Sequence, residues 1–183
     1  TCNVYNMQKM TKKLFEITGD VKYADWYENT YWNSIVSSQN PETGMTMYFQ
    51  PMAAGYFKVY SSPYEHFWCC TGTGMENFTK LGSAIYQKEE NKLYINLYLG
   101  SVLKDTANKL TLTQKTDLAH FDSIQFTIEF EEEKAMTFAL RLPEWTNQRF
   151  ELKLNGETVD YSVQKGYILL NRVWEKRQVL SLQ

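Results

Sequence analysis

The spacing of the apolar residues changes near residue 90, and this change limits the folds open to the chain more than any other feature. Before it, apolar residues recur every three or four positions, as on one face of a helix. A first helix is predicted from Asn3 to Thr18, ended by Gly19, and a second from Val21 to Ser37. Because the turn between them is short, the two helices are expected to form an antiparallel hairpin.

Less regular structure is predicted for the segment between the second helix and the change in spacing. A candidate strand covers Met45–Met52, and residues 53–74 are irregular, aromatic and glycine-rich. A third helix is predicted from Met75 to Gln87. Before it, Gly72 and Gly74 favour a sharp turn with close packing over the alternative of an anion site at the helix start.

Seven short segments after residue 92 alternate apolar and polar residues, which is the pattern of strands with one buried face. Their close spacing predicts an antiparallel β-sandwich. The chain is therefore expected to be an α+β multidomain fragment, with a helical domain at 1–90 and a β-sandwich domain at 91–183. The helices carry more apolar surface than they can bury on one another, so either they pack on the sheet or partner helices are missing, and the second alternative favours a fragment. The predicted strands are Leu93–Leu99, Leu110–Leu112, Ile124–Phe130, Met136–Leu142, Phe150–Leu154, Tyr167–Leu170 and Val179–Leu182.

Composition argues against three classes of protein. The 19 Lys and Arg residues and the 21 Asp and Glu residues give a formal net charge of −2 without a basic tract, so no nucleic-acid partner is expected. The sequence contains no run of about 18 apolar residues, which is the length that a membrane-spanning helix needs. A hydrophobic fraction of 43% is too high for a disordered chain. His120 has no partner pattern in the strand-rich half and is predicted to be a surface residue.

The three cysteines are the strongest candidates for chemistry. Their odd number excludes a closed disulfide framework, and the vicinal pair Cys69-Cys70 would be strained as a disulfide. Inert burial, metal binding and a redox thiol are all open from spacing alone. For a metal, Cys2 could supply a third thiolate, and zinc is the natural occupant of such a site. A start at Thr1 rather than Met, and an end inside a predicted strand, also favour a fragment.

Two further side chains are candidates because of their surroundings. Glu28 lies mid-helix beside Trp26, Tyr27 and Tyr31 and is a candidate for proton transfer, against the commoner alternative of a solvated face or a structural hydrogen bond. His66 is close to the cysteine pair and is a candidate for ligand contact. The excess of aromatic residues suits stacking on sugars and equally suits an ordinary core.

Several segments together carry a more specific pattern. They are TCNVYNM at 1–7, LFEITGD at 14–20, YAD at 23–25, SQNPETG at 38–44, FWCCTGTGMEN at 67–77, LRLPEW at 140–145 and KGY at 165–167. With these segments the chain resembles, over essentially its whole length, the bacterial β-L-arabinofuranosidase-type glycoside hydrolases of family 127 and its relative, family 146. The resemblance implies the last helices of an (α/α)6 catalytic barrel followed by a β-sandwich.

The same resemblance implies roles for particular residues. In the family, zinc is held by one Glu and three Cys, and Cys2, Cys69 and Cys70 match the three cysteines. The Glu ligand would lie immediately before Thr1. Cys69 matches the nucleophile, and Glu28 corresponds to a carboxylate of the barrel interior that we take as a catalytic candidate. The general acid/base is a further Glu upstream of the chain.

The implied activity is that of a retaining glycoside hydrolase that removes terminal β-L-arabinofuranosyl or related residues from plant-type glycans through a zinc-bound thiolate. His66, Trp68 and Glu76 are expected to contact an oligosaccharide or glycoside substrate. The alternative is a non-catalytic carbohydrate-binding or structural module with inert buried cysteines. Without the acid/base, the Glu ligand and the rest of the barrel, the isolated chain is expected to be inactive and to bind zinc weakly.

Overall fold

The computed structural model describes residues 2–117 and 122–183, which fall into two compact units, Thr1–Ala84 and Ile85–Gln183. The first unit is helical, and the second contains the described strands. Within the described ranges, no helix combines the length and the apolar character needed to cross a membrane. The prediction made for His120 lies outside the described residues.

The helical unit begins with the predicted pair of packed helices, α1 at Cys2–Thr18 and α2 at Val21–Thr30. Gly19 ends α1 with a φ of +62°, a left-handed conformation that glycine adopts without a steric penalty. Its N–H donates to the carbonyl of Phe15 at 2.8 Å, which satisfies one of the carbonyls left open at the helix end. The predicted end of the first helix is therefore confirmed.

The second helix is shorter than predicted. After Thr30 the chain continues as a π-helical turn at Tyr31–Ile35 and a 3-10 turn at Val36–Ser38, so only the first part of the predicted helix is α-helical. Two residues of the π-helical turn, Tyr31 and Ile35, pack with Tyr5 of α1 in a small buried core. This packing supplies a physical reason for the change, since a π-helical turn rotates the side chains that follow it.

The predicted strand at Met45–Met52 is wrong. This stretch forms only two isolated bridges, between Gln39 and Thr46 and between Met47 and Tyr60. A strand persists only where a neighbouring strand pairs with it over several residues, and Pro51 has no N–H to offer to such a partner. Residues 48–59 consequently have no regular secondary structure.

The third helix, α3, spans Cys69–Lys80 and begins before the predicted start at Met75. Gly72 and Gly74 therefore lie inside the helix, and the predicted sharp turn is wrong. The predicted close packing is confirmed at Gly74, where a Cβ atom would lie 2.6 Å from Cγ2 of Thr46. The glycine lets the backbone of α3 approach this neighbouring segment more closely than any other residue would allow.

Alanine at Gly74 and alanine at Gly72 are expected to change the free energy of unfolding in opposite directions. At Gly74 the new methyl group would clash with Thr46, and such overpacking costs about 1–3 kcal/mol. At Gly72 the nearest atom is Cε1 of Phe67 at 3.9 Å, so the gain in helix propensity of up to about 1 kcal/mol remains. Urea denaturation of both variants, followed by circular dichroism, measures the two changes. Changes of the same sign would contradict this packing.

The second unit consists of two sheets. In chain order its strands are β1 Tyr86–Glu89, β2 Lys92–Ile95, β3 Ser101–Asp105, β4 Leu110–Thr116, β5 Ile124–Phe130, β6 Lys134–Arg141, β7 Leu152–Leu154, β8 Glu157–Thr158, β9 Ser162–Gln164, β10 Tyr167–Trp174 and β11 Arg177–Leu182. One sheet has the order β1-β2-β6-β10-β9 and the other has the order β3-β4-β5-β11-β7-β8. The described pairings are antiparallel except that of β2 with β6, where residues 92–95 run parallel to residues 137–140. The predicted α+β fold class is confirmed, with helices followed by two mainly antiparallel sheets.

Four of these strands, β1, β3, β8 and β9, are absent from the sequence-based prediction, and the prediction of helix up to Gln87 is wrong. A short helix, α4, ends at Ile85, and Tyr86 begins β1. Pairing explains the switch, because Tyr86 lies opposite Ile95 in an antiparallel ladder with β2. Cross-strand pairing of this kind overrides a local helical preference.

The core of the second unit is formed by apolar side chains from both sheets. Its largest member, Trp174, is fully buried. The indole ring stacks on Phe138 with 4.5 Å between the ring centroids, and its N–H donates to the carbonyl of Met136 at 2.8 Å. This contact joins the polar atom of a large side chain to the backbone of the neighbouring strand, so its burial leaves no unpaired donor.

Candidate active site

Three cysteine sulfurs come together in the helical unit. Cys2 is the first residue of α1, and Cys69 and Cys70 are the first two residues of α3. The Sγ of Cys2 lies 3.6 Å from that of Cys69 and 3.2 Å from that of Cys70, and the three sulfurs all lie within 4.8 Å of one another. We call these three residues the cysteine cluster. All three are free thiols.

The geometry of the cysteine cluster fits a tetrahedral metal ion. Thiolates about 2.3 Å from such an ion lie about 3.8 Å from one another, and the two separations measured from Cys2, 3.6 Å and 3.2 Å, are slightly shorter than this value. Sulfur ligands of this kind suit zinc and other soft or borderline ions. The cysteine cluster could therefore hold a metal ion with three protein ligands.

The electrostatics of the Cys2 thiol also bear on the binding of a cation by the cysteine cluster. Burial raises the pKa of the Cys2 thiol, and the nearby sulfurs of Cys70 and Cys69 raise it further, while a hydrogen bond with the Thr73 hydroxyl at 3.0 Å opposes the shift. The surroundings of Cys2 thus favour its neutral thiol. A bound cation reverses this preference, because it stabilises the thiolate form of each ligand.

The two vicinal cysteines differ in exposure, and this difference separates the reactions that each can take part in. Cys70 is buried, whereas Cys69 is an exposed residue. The ring of Tyr48 packs against that of Trp68, the residue before Cys69, and the charges that Cys69 and Cys70 carry as thiolates raise the pKa of the Tyr48 phenol. Sequence reasoning counted Tyr48 among the aromatic residues that suit stacking on sugars but did not place it beside the cysteines. It lies in the segment without regular structure, where no periodicity indicates which side chains meet.

His66 and Trp68, both predicted to contact substrate, lie side by side just before Cys69. Their ring centroids are 5.2 Å apart, and the Nδ1 of His66 lies 2.9 Å from the hydroxyl of Ser62. The ring of Trp68 also packs edge-on against that of Tyr48, with 5.8 Å between the centroids. These contacts hold an aromatic group immediately beside the exposed thiol.

The two predicted glutamates are placed differently. Glu76 lies on α3 and accepts a hydrogen bond from the hydroxyl of Tyr5 at 2.8 Å, which ties α3 to α1. Burial, with Glu76 as the second cause, raises the pKa of Tyr5 to about 12, so Tyr5 is a donor at neutral pH. Glu28 is buried on α2. Among residues 2–117 and 122–183, the group of side chains that could hold a metal comprises the cysteine cluster and neither glutamate.

Comparison with known proteins supplies a family for this arrangement. Residues 1–83 match the family model of the β-L-arabinofuranosidase GH127 catalytic domain, and residues 92–183 match that of the GH127 middle domain. A search of curated proteins finds no match to the chain. The catalytic-domain match includes all three members of the cysteine cluster, so the cluster lies in the part of the chain that corresponds to the catalytic domain.

Solved structures agree with this assignment. A GH127 β-arabinofuranosidase has a TM-score of 0.85 and 26% identity, covering 100% of this chain and 31% of that protein. A GH127 β-L-arabinofuranosidase from Geobacillus stearothermophilus T6 has a TM-score of 0.76 and 25% identity, covering 94% of this chain and 29% of that protein. A protein described as a glycoside hydrolase, with 23% identity and a TM-score of 0.80, shares the fold over 96% of this chain and 31% of its own length.

The chain therefore spans less than one third of these similar structures. The family models and the full-length structural agreement nevertheless account for both units, the helical one and the one with two sheets. On these grounds the chain belongs to the GH127 β-L-arabinofuranosidase family of glycoside hydrolases, with its residues 1–83 in the catalytic domain and its residues 92–183 in the middle domain.

Proposed function

We propose that this chain is part of a retaining glycoside hydrolase that removes terminal β-L-arabinofuranosyl or related residues from plant-type glycans, with Cys69 as the nucleophile. The observation that carries the proposal is the exposed sulfur of Cys69 within a group of three cysteine sulfurs. Inert cysteines would have no reason to gather from two helices with one sulfur open to solvent. Family membership supplies the reaction class.

The reaction takes place in two displacements. The thiolate of Cys69 attacks the anomeric carbon, the glycosidic carbon–oxygen bond breaks, and the leaving oxygen takes a proton from the glutamic acid that the family resemblance assigns upstream. Water then attacks the same carbon, the carbon–sulfur bond breaks, and the glutamate accepts the proton from the water. Two inversions give net retention of configuration.

The remaining predicted residues support these steps. Cys2, Cys69 and Cys70 would together hold zinc, with the Glu that the resemblance assigns just before Thr1 as the fourth ligand. When bound, zinc keeps the cysteine sulfurs as thiolates at neutral pH. Trp68 and His66 contact the sugar beside Cys69, and Glu76 and Glu28 supply carboxylates to the site. The isolated 183-residue chain lacks the acid/base and is expected to hydrolyse nothing.

Zinc content tests the ligand assignment independently of activity. The full-length protein that contains this chain is expected to hold about one zinc per molecule, and Cys2→Ser is expected to lower the bound fraction at least about tenfold at limiting free zinc, because the three remaining ligands would have to hold the ion with a serine as a weaker fourth. Elemental analysis after dialysis measures the content. Met75→Ala, an exposed residue of α3, is the matched control.

Hydrolysis of an aryl β-L-arabinofuranoside by the same preparations tests the activity. The full-length protein is expected to turn the substrate over and to lose this activity when a chelator removes the metal. Hydrolysis that persists without metal would overturn the zinc assignment. A protein that binds glycans without hydrolysing them would instead support the non-catalytic alternative, and a reversible Cys69–Cys70 disulfide would support a redox role.

A further inference from the structure

A groove of about 960 Å³ lies in the helical unit, in the segment without regular secondary structure. We call it the aromatic groove and define it by five of its lining residues, Tyr48, Phe49, Tyr56, Phe57 and Trp68. Its volume exceeds what one pentose ring needs and is large enough for a second ring beside the first. Most of the other lining side chains are apolar, so the groove offers flat hydrophobic faces rather than many hydrogen bonds.

The aromatic groove is continuous with the cysteine cluster. Trp68, which lines the groove, directly precedes Cys69 in the sequence. Tyr48 also lines the groove, packs edge-on against Trp68 and lies beside the thiol of Cys69. A glycoside whose anomeric carbon faces the sulfur of Cys69 would therefore have the rest of the substrate within reach of the aromatic groove.

Two aromatic side chains of the groove are exposed within this chain. Phe49 is 80% exposed and Phe57 is 81% exposed, although each would gain free energy from burial. Phe49 is nevertheless held in position, because its ring packs against that of Tyr48 with 4.5 Å between the centroids. A concave set of oriented, solvent-exposed aromatic faces is the usual form of a site that recognises rings.

Polar groups in the groove are few, and one of them is already engaged. Gln50 donates its side-chain amide to the carbonyl of Ser34 at 2.5 Å, which anchors the segment to the helical unit. The hydroxyls of Tyr48 and Tyr56 and the indole N–H of Trp68 are the other polar side-chain groups of the described lining. So few directional partners cannot read a pattern of sugar hydroxyls, whereas stacking on a ring face needs none.

We infer that the aromatic groove is the subsite for the leaving group, and that it binds a flat ring with an apolar face next to the scissile bond. This inference rests on the proposed hydrolase function and adds the chemistry of the group that departs. Either a sugar ring of a glycan or an aromatic aglycone presents such a face. The groove is expected to require a ring and to tolerate changes in its hydroxyl groups.

The test compares leaving groups in the full-length protein. Values of kcat/KM are measured for a phenyl β-L-arabinofuranoside, a disaccharide with the same terminal sugar, and the methyl glycoside, which has no ring to stack. In Phe57→Ala and Phe49→Ala the ratio of ring-bearing to methyl substrate is expected to fall about tenfold relative to the wild-type ratio. Comparison with the wild-type ratio cancels the intrinsic difference between the leaving groups.

Two controls make the result specific. Phe57→Tyr keeps the ring face and is expected to restore the ratio, while Tyr64→Ala removes an aromatic ring that is 98% exposed and lies outside the groove lining, and is expected to leave the ratio unchanged. A fall for the phenyl but not the disaccharide substrate assigns the groove to aromatic aglycones, and the reverse assigns it to sugars.

The possible failures are distinguishable. Wild-type protein that hydrolyses none of the three substrates would overturn the proposed function and the subsite with it. Normal hydrolysis with an unchanged ratio in both alanine variants would overturn the subsite alone. An unchanged ratio accompanied by a lower unfolding midpoint would show that the aromatic groove packs against protein, which also overturns the inference.

Discussion

Replacing Cys69 with alanine in the full-length protein is expected to lower kcat/KM for an aryl β-L-arabinofuranoside by about 10⁴-fold or more. The reason is that the exposed sulfur of Cys69 is the atom proposed to bond to the anomeric carbon, and loss of a nucleophile removes the whole covalent pathway. Initial rates with purified wild-type and variant protein measure the effect. Met75→Ala on the same helix is the matched control.

A second measurement separates a nucleophile from a metal ligand, since loss of either role lowers activity. A brief reaction of wild-type protein with a slowly turned-over substrate is expected to add the mass of one pentosyl group to the peptide that contains Cys69. The same adduct is not expected in Cys69→Ala, even when that variant is supplied with zinc. A variant that keeps near wild-type turnover, or an adduct on another residue, would refute the assignment of Cys69.

Replacing Trp174 with alanine is expected to lower the free energy of unfolding by about 3–5 kcal/mol, which is a large part of the total stability of an ordinary domain. The substitution removes a fully buried indole, its stacking on Phe138 and its hydrogen bond to the Met136 carbonyl. The carbonyl would be left without this donor inside a cavity. Urea denaturation followed by circular dichroism measures the loss.

The matched control for this prediction is Trp145→Ala in the same unit. The side chain of Trp145 is 64% exposed, so its removal is expected to cost less than about 1 kcal/mol. Both substitutions delete an indole, and the difference between them isolates the effect of burial. Equal losses for the two variants would mean that the core between the sheets is not packed around Trp174.

The sequence predicted the broad architecture because hydrophobic spacing reflects burial directly. The helix ending at Gly19 and the alternating strands such as Ile124–Phe130 are both found. The errors arose where tertiary packing overrides local preference. The π-helical turn after Thr30 and the switch from helix to strand at Tyr86 depend on partners that lie elsewhere in the chain.

The candidate site shows the same division. The vicinal pair Cys69-Cys70 is conspicuous in the sequence, and the resemblance implied that Cys2 would join it, as the sulfur distances agree. Tyr48 carries no such signal, because its place beside Cys69 comes from a segment without periodicity. Trp174 was also missed, since the predicted strand stopped at Leu170 and left the largest core side chain outside it.

The parallel pairing of β2 with β6 sets an order of assembly for the second unit. The ladders of β1 with β2 and of β4 with β5 join neighbouring stretches of chain, so little loop entropy is lost when they form. By contrast, residues 92–95 pair with residues 137–140, and the strands β3, β4 and β5 lie between these two segments in the sequence. The join between the β1–β2 ribbon and the rest of its sheet is thus expected to form after these local ladders, because contacts between distant parts of a chain form slowly.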